Sequence, residues 1–225
     1  MKNDVMDTLY KLSVLNKEDL YLHHKDDLDL GKFSSNLSEI ESNPFLGYVG
    51  KFYFDEQIRI CFIGKSGAES RTVQSADLEM NEKFEKFRDS KYSERENAFD
   101  AYQNTICSHI EKWKVFKIPE LLMEKTCTKN IHNISYVNIV PFRYKGAPSK
   151  TVYKIAWENF TQHFLQAIKP HFIIPLGKGF DKIITEYYSG NASVESGIRR
   201  TNGDTYIHEE AKKQIDLISS KIKNS

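Results

Sequence analysis

The chain has 225 residues, 40% of them hydrophobic and 28% charged, with a formal net charge of +1, enough apolar material to bury a full core in one decorated domain. No apolar run approaches the roughly 18 residues a bilayer-spanning helix needs, which argues against a membrane protein. The acidic start MKNDVMDTLYKLSVLNKEDLYLHHKDD lacks the uninterrupted apolar core of a secretory signal, so a soluble, cytoplasmic protein is expected.

Cys61, Cys107 and Cys127 show neither CxxC nor Cys/His ligand spacing, which predicts free thiols in a reducing compartment and no metal site. The small net charge conceals an asymmetry: residues 1–40 sum to −3, 41–128 to −2, and 129–225 to +6, from 14 basic and 8 acidic residues. A phosphate-facing surface and a lysine-rich solvated helix both produce such a bias.

In chain order, residues 1–45 read as an N-terminal helical decoration, with the turn-rich SNPFLGYVG at 42–50 as the joint to the main domain, 46–225. QIRICFIG at 57–64 is β-branched and aromatic and stops at the glycines of GKSGAES, as a buried strand of an α/β sheet does. Residues 75–90 and 94–117 carry Phe84/Phe87 and Ala98/Tyr102/Ile106/Ile110 at three- and four-residue intervals, the pattern of amphipathic helices. They form a helical insertion near 75–125.

A second strand is expected in ISYVNIVPF, 134–142, followed by the loop RYKGAPS, whose Ser149 can cap a helix over 150–169 that Pro170 stops. HFIIPLG at 171–177 predicts a third strand and FDKIITEYY a helix. ASVESGIRR predicts a fourth strand, TNGD a turn, and 207–223 a closing helix. Alternation of this kind predicts an α/β fold, a three-layer α/β/α sandwich around a central, mainly parallel four-stranded sheet. Ligands of such sheets bind outside the carboxyl ends of the strands, so the segments just past each strand are the candidates.

Past the first strand, Gly64 and Gly67 let backbone approach a ligand, and successive N–H groups there can cradle an anion, although neither GxxxxGK[ST] nor GxGxxG is present. A plain tight turn is the competing reading. Asn138 stands in a buried strand, where its paired donor and acceptor suit either the edge of a pyrimidine or a backbone partner in the core. Past the third strand, Lys178 in LGKGF suits phosphate or solvent. Arg199 and Arg200 alternate along the fourth strand, so at most one faces a given site.

RICFIGKSGAES, YVNIVPFR and AIKPHFIIPLGKGF, in that order and spacing, together resemble the uracil-DNA glycosylase superfamily. The likeness covers roughly 57–223 and is closest in the helix-Ile-x-Pro-strand-Leu-Gly unit. It implies a monofunctional enzyme that flips a uracil-like or modified base out of DNA and hydrolyses its N-glycosidic bond without a cofactor, metal or membrane. The four cysteines of the iron–sulfur branch are absent. Some relatives excise hypermodified phage bases in bacterial defence, so the resemblance leaves repair and defence both open.

Carried over by position, the resemblance assigns Gly64, Lys65, Ser66 and Gly67 to the loop that orients the attacking water and lines the base. Lys65 or Ser66 stands where an acidic or amide side chain is expected, with Glu69 shortly after. Asn138 falls on the base-reading asparagine. No His-Pro-Ser motif follows the last strand; Arg199 or Arg200 occupies that interval, and a guanidinium there would stabilise an anionic leaving base by the same electrostatic logic. Phe142, Tyr144, Tyr48 and Tyr53 are candidates to stack on the base, with core packing as the alternative for each. Arg143, Lys145, Lys178 and Asn202 are expected to face DNA phosphates. A glycosylase-like fold that has lost catalysis and binds DNA or a modified nucleotide is the rival reading.

Overall fold

The computed structural model describes residues 2–14, 43–65, 75–110, 112–126, 130–142, 148–199 and 207–225. They fall into two compact units interleaved in sequence. The first draws on Met1–Gly47, Ser66–Ile106 and Val137–Ile168, the second on Tyr48–Lys65, Cys107–Tyr136 and Lys169–Ser225.

In the first unit, helix α1 (Lys2–Ser13) buries Val5, Met6, Leu9 and Leu12, a three-and-four spacing that makes one apolar face. Helices α2 (Ser75–Arg88) and α3 (Arg95–Ile110, in this unit through Ile106) supply an aromatic cluster. Phe87 lies 5.5 Å from Phe99 and 6.0 Å from Tyr10, and Phe84 lies 6.0 Å from Tyr102. Tyr102 Oη also accepts the Leu46 N–H at 3.3 Å, so the ring fastens the segment leading to Gly47. The guanidinium of Arg95 lies 3.5 Å from the centre of the Tyr10 ring, a cation–π contact that ties α3 to α1.

The helix expected over 150–169 forms with a defect. Ser149 caps it, accepting from Val152 N–H at 3.3 Å. The run α5 (Lys150–Ala156) widens into a π-helical turn, Trp157–Thr161, before resuming as α6 (Gln162–Ile168). At that turn the Thr161 hydroxyl donates to the carbonyl of Ile139 at 3.0 Å, and Asn159 Nδ2 donates to Ile155 O at 2.9 Å. Side-chain bonds of this kind compete with the regular helical ladder and accompany a local departure from it.

The second unit is built on the sheet. The strands of the sheet are β1 (Tyr48–Val49), β2 (Ile60–Gly64), β3 (Ser135–Asn138, in this unit through Tyr136), β4 (Phe172–Pro175) and β5 (Ser193–Val194), ordered β1-β3-β2-β4-β5. β2 pairs parallel with β4 from Ile60↔Phe172 to Ile63↔Pro175, and β4 pairs parallel with β5. Every residue of β2 is buried, which explains its unbroken apolar run. Helix α4 (Lys117–Thr126) packs on α8 (Glu209–Lys223), and α7 (Phe180–Tyr187) packs on β4 and β5.

The sheet therefore has five strands where four were expected, and it is mixed. The additional member, β1, runs antiparallel to β3 with Tyr48 opposite Tyr136. A two-residue strand is too short to show any alternation in sequence. What holds the chain there is Gly50: its N–H donates to Ile134 O at 2.9 Å, and a Cβ at that position would lie 2.3 Å from His132 O. The single helix expected over 94–117 is also corrected, since α3 ends at Ile110 and α4 begins at Lys117. Proline at 119 sits in the first turn of α4, the one part of a helix where its missing N–H costs nothing. The predicted fourth strand shortens to Ser193–Val194, though Glu195 N–H and Ile198 N–H still reach Ile173 O and Pro175 O, both at 2.9 Å.

Candidate functional site

Because β2, β4 and β5 are parallel, their carboxyl ends share one edge of the second unit. At that edge β2 closes on Gly64 and is followed by Lys65. The stem of Lys65 runs over Gly177, where a Cβ would lie 3.4 Å from Lys65 Cε, and its ammonium stands 5.8 Å from the centre of the Phe180 ring. A cation within about 6 Å of an aromatic face is attracted by the ring quadrupole.

The turn after β4 is shaped by glycine. Gly179 has φ 72°, a left-handed conformation that suits a residue without Cβ, and it leads directly into α7. Gly197 presses on the same turn, since a Cβ there would stand 2.1 Å from Gly177 O. Two more cations border it. Lys178 Nζ lies 3.1 Å from Glu210 Oε1 and Arg199 Nη1 3.9 Å from Glu210 Oε2. Glu210 sits in the first turn of α8, where the helix dipole also favours negative charge. Its hydrogen bond with Lys178, then that ion's charge, holds the Glu210 carboxyl below the usual range, with Arg199 and His208 adding to the effect.

Of the residues predicted from sequence, Gly64, Lys65, Lys178 and Arg199 therefore meet at one sheet edge. Asn138 and Phe142 belong to the first unit: Asn138 is buried at the end of β3, and Phe142 is fully enclosed, at 1% exposure. Ser66, Gly67, Glu69, Arg143, Tyr144, Lys145, Arg200 and Asn202 lie outside the described residues. Tyr48 and Tyr53 are both buried, and burial pushes the Tyr53 hydroxyl well above its ordinary range.

Three contributors escaped the sequence reading. Glu210 looked like an ordinary helix-start acid, Phe180 like a core aromatic and Gly197 like a strand glycine. The signals Glu209-Glu210 and Leu-Gly-Lys-Gly-Phe were legible, but their pairing with Arg199 and Lys65 depends on how β4, β5 and α8 pack.

Among the described residues, no group of three or more His, Cys, Asp or Glu side chains is arranged to hold a metal ion. Nor is any described helix long and apolar enough to cross a membrane. Cys61 is enclosed in β2, and burial pushes its thiol up to about 12, so it is a core residue and a poor nucleophile. No protein-family model matches the chain, and no curated protein matches it. What the fold defines is a mixed α/β protein with a cationic, glycine-lined strand edge.

Proposed function

We propose that this chain is a DNA glycosylase of the uracil-DNA-glycosylase type, hydrolysing the N-glycosidic bond of a flipped, uracil-like or modified base. On this reading the sheet is the central layer of a three-layer α/β/α sandwich. The observation that carries the proposal is the strand order. The chain leaves β2, adds β3 on one side, and then places β4 on the other. Such a reversal marks the carboxyl end of β2 as the preferred place for a ligand in an α/β sheet. Gly64 and Lys65 stand at that end, beside the turn bearing Lys178 and within the same unit as Arg199.

The chemistry asks little more than positioning and charge. As the N-glycosidic bond breaks, the base takes up negative charge and the sugar becomes cationic; fixed cations near the base and phosphates near the sugar stabilise both. Lys65 and Arg199 serve the departing base, and Lys178 serves phosphate. A second reading is favoured by the loop after β2, where Lys65 or Ser66 stands in place of the acid or amide that the resemblance expects to orient water: a fold that binds DNA or a modified nucleotide without cleaving it.

Duplexes containing uracil, hypoxanthine or modified cytosines, incubated with excess protein and then treated with alkali, separate the two. Strand breaks at the modified position are the expected result, reduced in Arg199→Ala. Salt-sensitive binding with no abasic site on any substrate supports the second reading.

A further inference from the structure

We infer that Cys107 and His132 form a reactive thiol–imidazole pair, a modification site at which low-molecular-weight disulfides exchange onto the chain. The inference does not depend on the glycosylase reading. Cys107 lies in the last turn of α3, half-buried, with its Sγ 3.7 Å from His132 Nδ1. Both residues belong to the second unit.

The histidine is held from several sides. It stands in a 3-10 turn, Ile131–Asn133, whose N-cap residue Asn130 accepts the His132 backbone N–H at 2.9 Å. The His132 carbonyl accepts the Phe52 N–H at 2.8 Å, and the Phe52 ring lies 6.3 Å from the imidazole at 75°. The turn and its ring are thus anchored independently of the thiol they face, and Cys107 and His132 both keep part of their surface in solvent.

Two cysteines of the same unit show what this placement does. The Cys61 thiol is enclosed in β2 and pushed up to about 12 by burial, so it stays protonated and inert. Cys107 is reachable and has a base beside it. With the imidazole proton on Nε2, Nδ1 is the acceptor for the S–H, and a thiol next to such a base is the arrangement that yields a thiolate nucleophile. The thiolate is the species that attacks a disulfide.

The exchange balances with the disulfide as sole oxidant. The Cys107 proton passes to His132 Nδ1, and the thiolate attacks one sulfur of the small disulfide. A new S–S bond forms as the old one breaks, and the electron pair leaves on the departing thiolate, which takes the proton back from the imidazolium. Excess small thiol reverses the sequence.

The test incubates the reduced full chain with glutathione disulfide at neutral pH, quenches with acid at intervals, and follows intact mass and peptide maps. A reversible mixed disulfide on Cys107 is expected, forming about tenfold faster in the folded protein than in urea, where no histidine stands beside the thiol. His132→Gln, whose amide cannot take up the proton, brings the folded rate down to the unfolded one and leaves the rate in urea unchanged. Cys107→Ser abolishes the adduct, and Cys61 stays unmodified until urea is added. Matching melting curves establish that His132→Gln is folded, and the folded-to-unfolded rate ratio of the wild-type chain decides without any variant. A Cys107 rate no higher in the folded protein than in urea, an unchanged rate in folded His132→Gln, or an adduct confined to Cys61 or Cys127 overturns the inference.

Discussion

His171 shows how one side chain can commit a strand end to a protonation state. Its Nδ1 accepts the backbone N–H of Arg59 at 3.0 Å, and the backbone N–H of His171 donates to Arg59 O at 2.8 Å, while Arg59 Nε donates to Lys169 O at 2.9 Å. An imidazole that must accept cannot be protonated at that nitrogen. Burial, and then the charge of Arg59, holds His171 below its ordinary value of 6.5. The folded state thus favours the neutral ring, and the unfolded chain takes up a proton first as pH falls. The contribution to stability is complete above that ordinary value and is lost as pH drops through it toward the folded value. Melting temperatures measured from pH 7.5 to 5.5 are therefore expected to fall, and to fall less steeply in His171→Gln, whose amide oxygen can still accept. An equal slope in that variant counts against the assignment. The interaction was invisible in the sequence, where His171 is simply the first residue of HFIIPLG.

Among the elements, the π-helical turn is the least expected and the most informative. The amphipathic spacing of Val152, Ile155, Ala156, Phe160, Phe164, Leu165 and Ile168 announces one helix, and a helix it is, capped at Ser149 as the loop chemistry requires. Periodicity does not announce that Thr161 would donate to Ile139 O, one residue past Asn138, and so fasten the end of β3. Thr161→Val removes that donor while keeping the shape and leaves a buried carbonyl unpaired, a loss of about 1–3 kcal/mol in urea unfolding. Thr161→Ser, which retains the hydroxyl, is expected to recover most of it. Ser149→Ala removes the cap and costs about 1 kcal/mol by the same measurement. At the strand edge, Gly197→Ala places a methyl against Gly177 O and forces the turn under Lys65 to shift. Weaker DNA binding together with a clear loss of stability in urea unfolding is the expected outcome, because the atom met is backbone.

At the scale of the whole molecule, the charge asymmetry read from the sequence acquires an address in part. The net +6 of residues 129–225 includes Lys178 and Arg199 at the carboxyl edge, and also lysines of α8 such as Lys212 and Lys221, which pair with Glu209 and Glu195. The lysines of α8 fit the solvated-helix reading of that bias, and a phosphate-facing role for Lys178 and Arg199 is part of the proposed function. Glu210→Gln releases Lys178 and Arg199 together. Tighter DNA binding with a steeper dependence on salt is expected in equilibrium titrations, because more phosphate charge is then neutralised per complex. Unchanged affinity would remove both cations from the proposed interface.

What the sequence by itself determined was local: where apolar runs become strands, which loops break them, that Ser149 caps a helix, and that Gly64–Lys65 ends the first long strand. Each follows from short-range sterics, side-chain periodicity and turn chemistry. Tertiary structure alone decided the rest. The antiparallel β1 exists because Gly50 admits a close backbone approach by His132, and the π turn exists because a carbonyl from another segment was within reach of Thr161. Lys178 and Arg199 share one acid because β4, β5 and α8 pack together. Contacts between distant residues carry no period, and only packing can choose them.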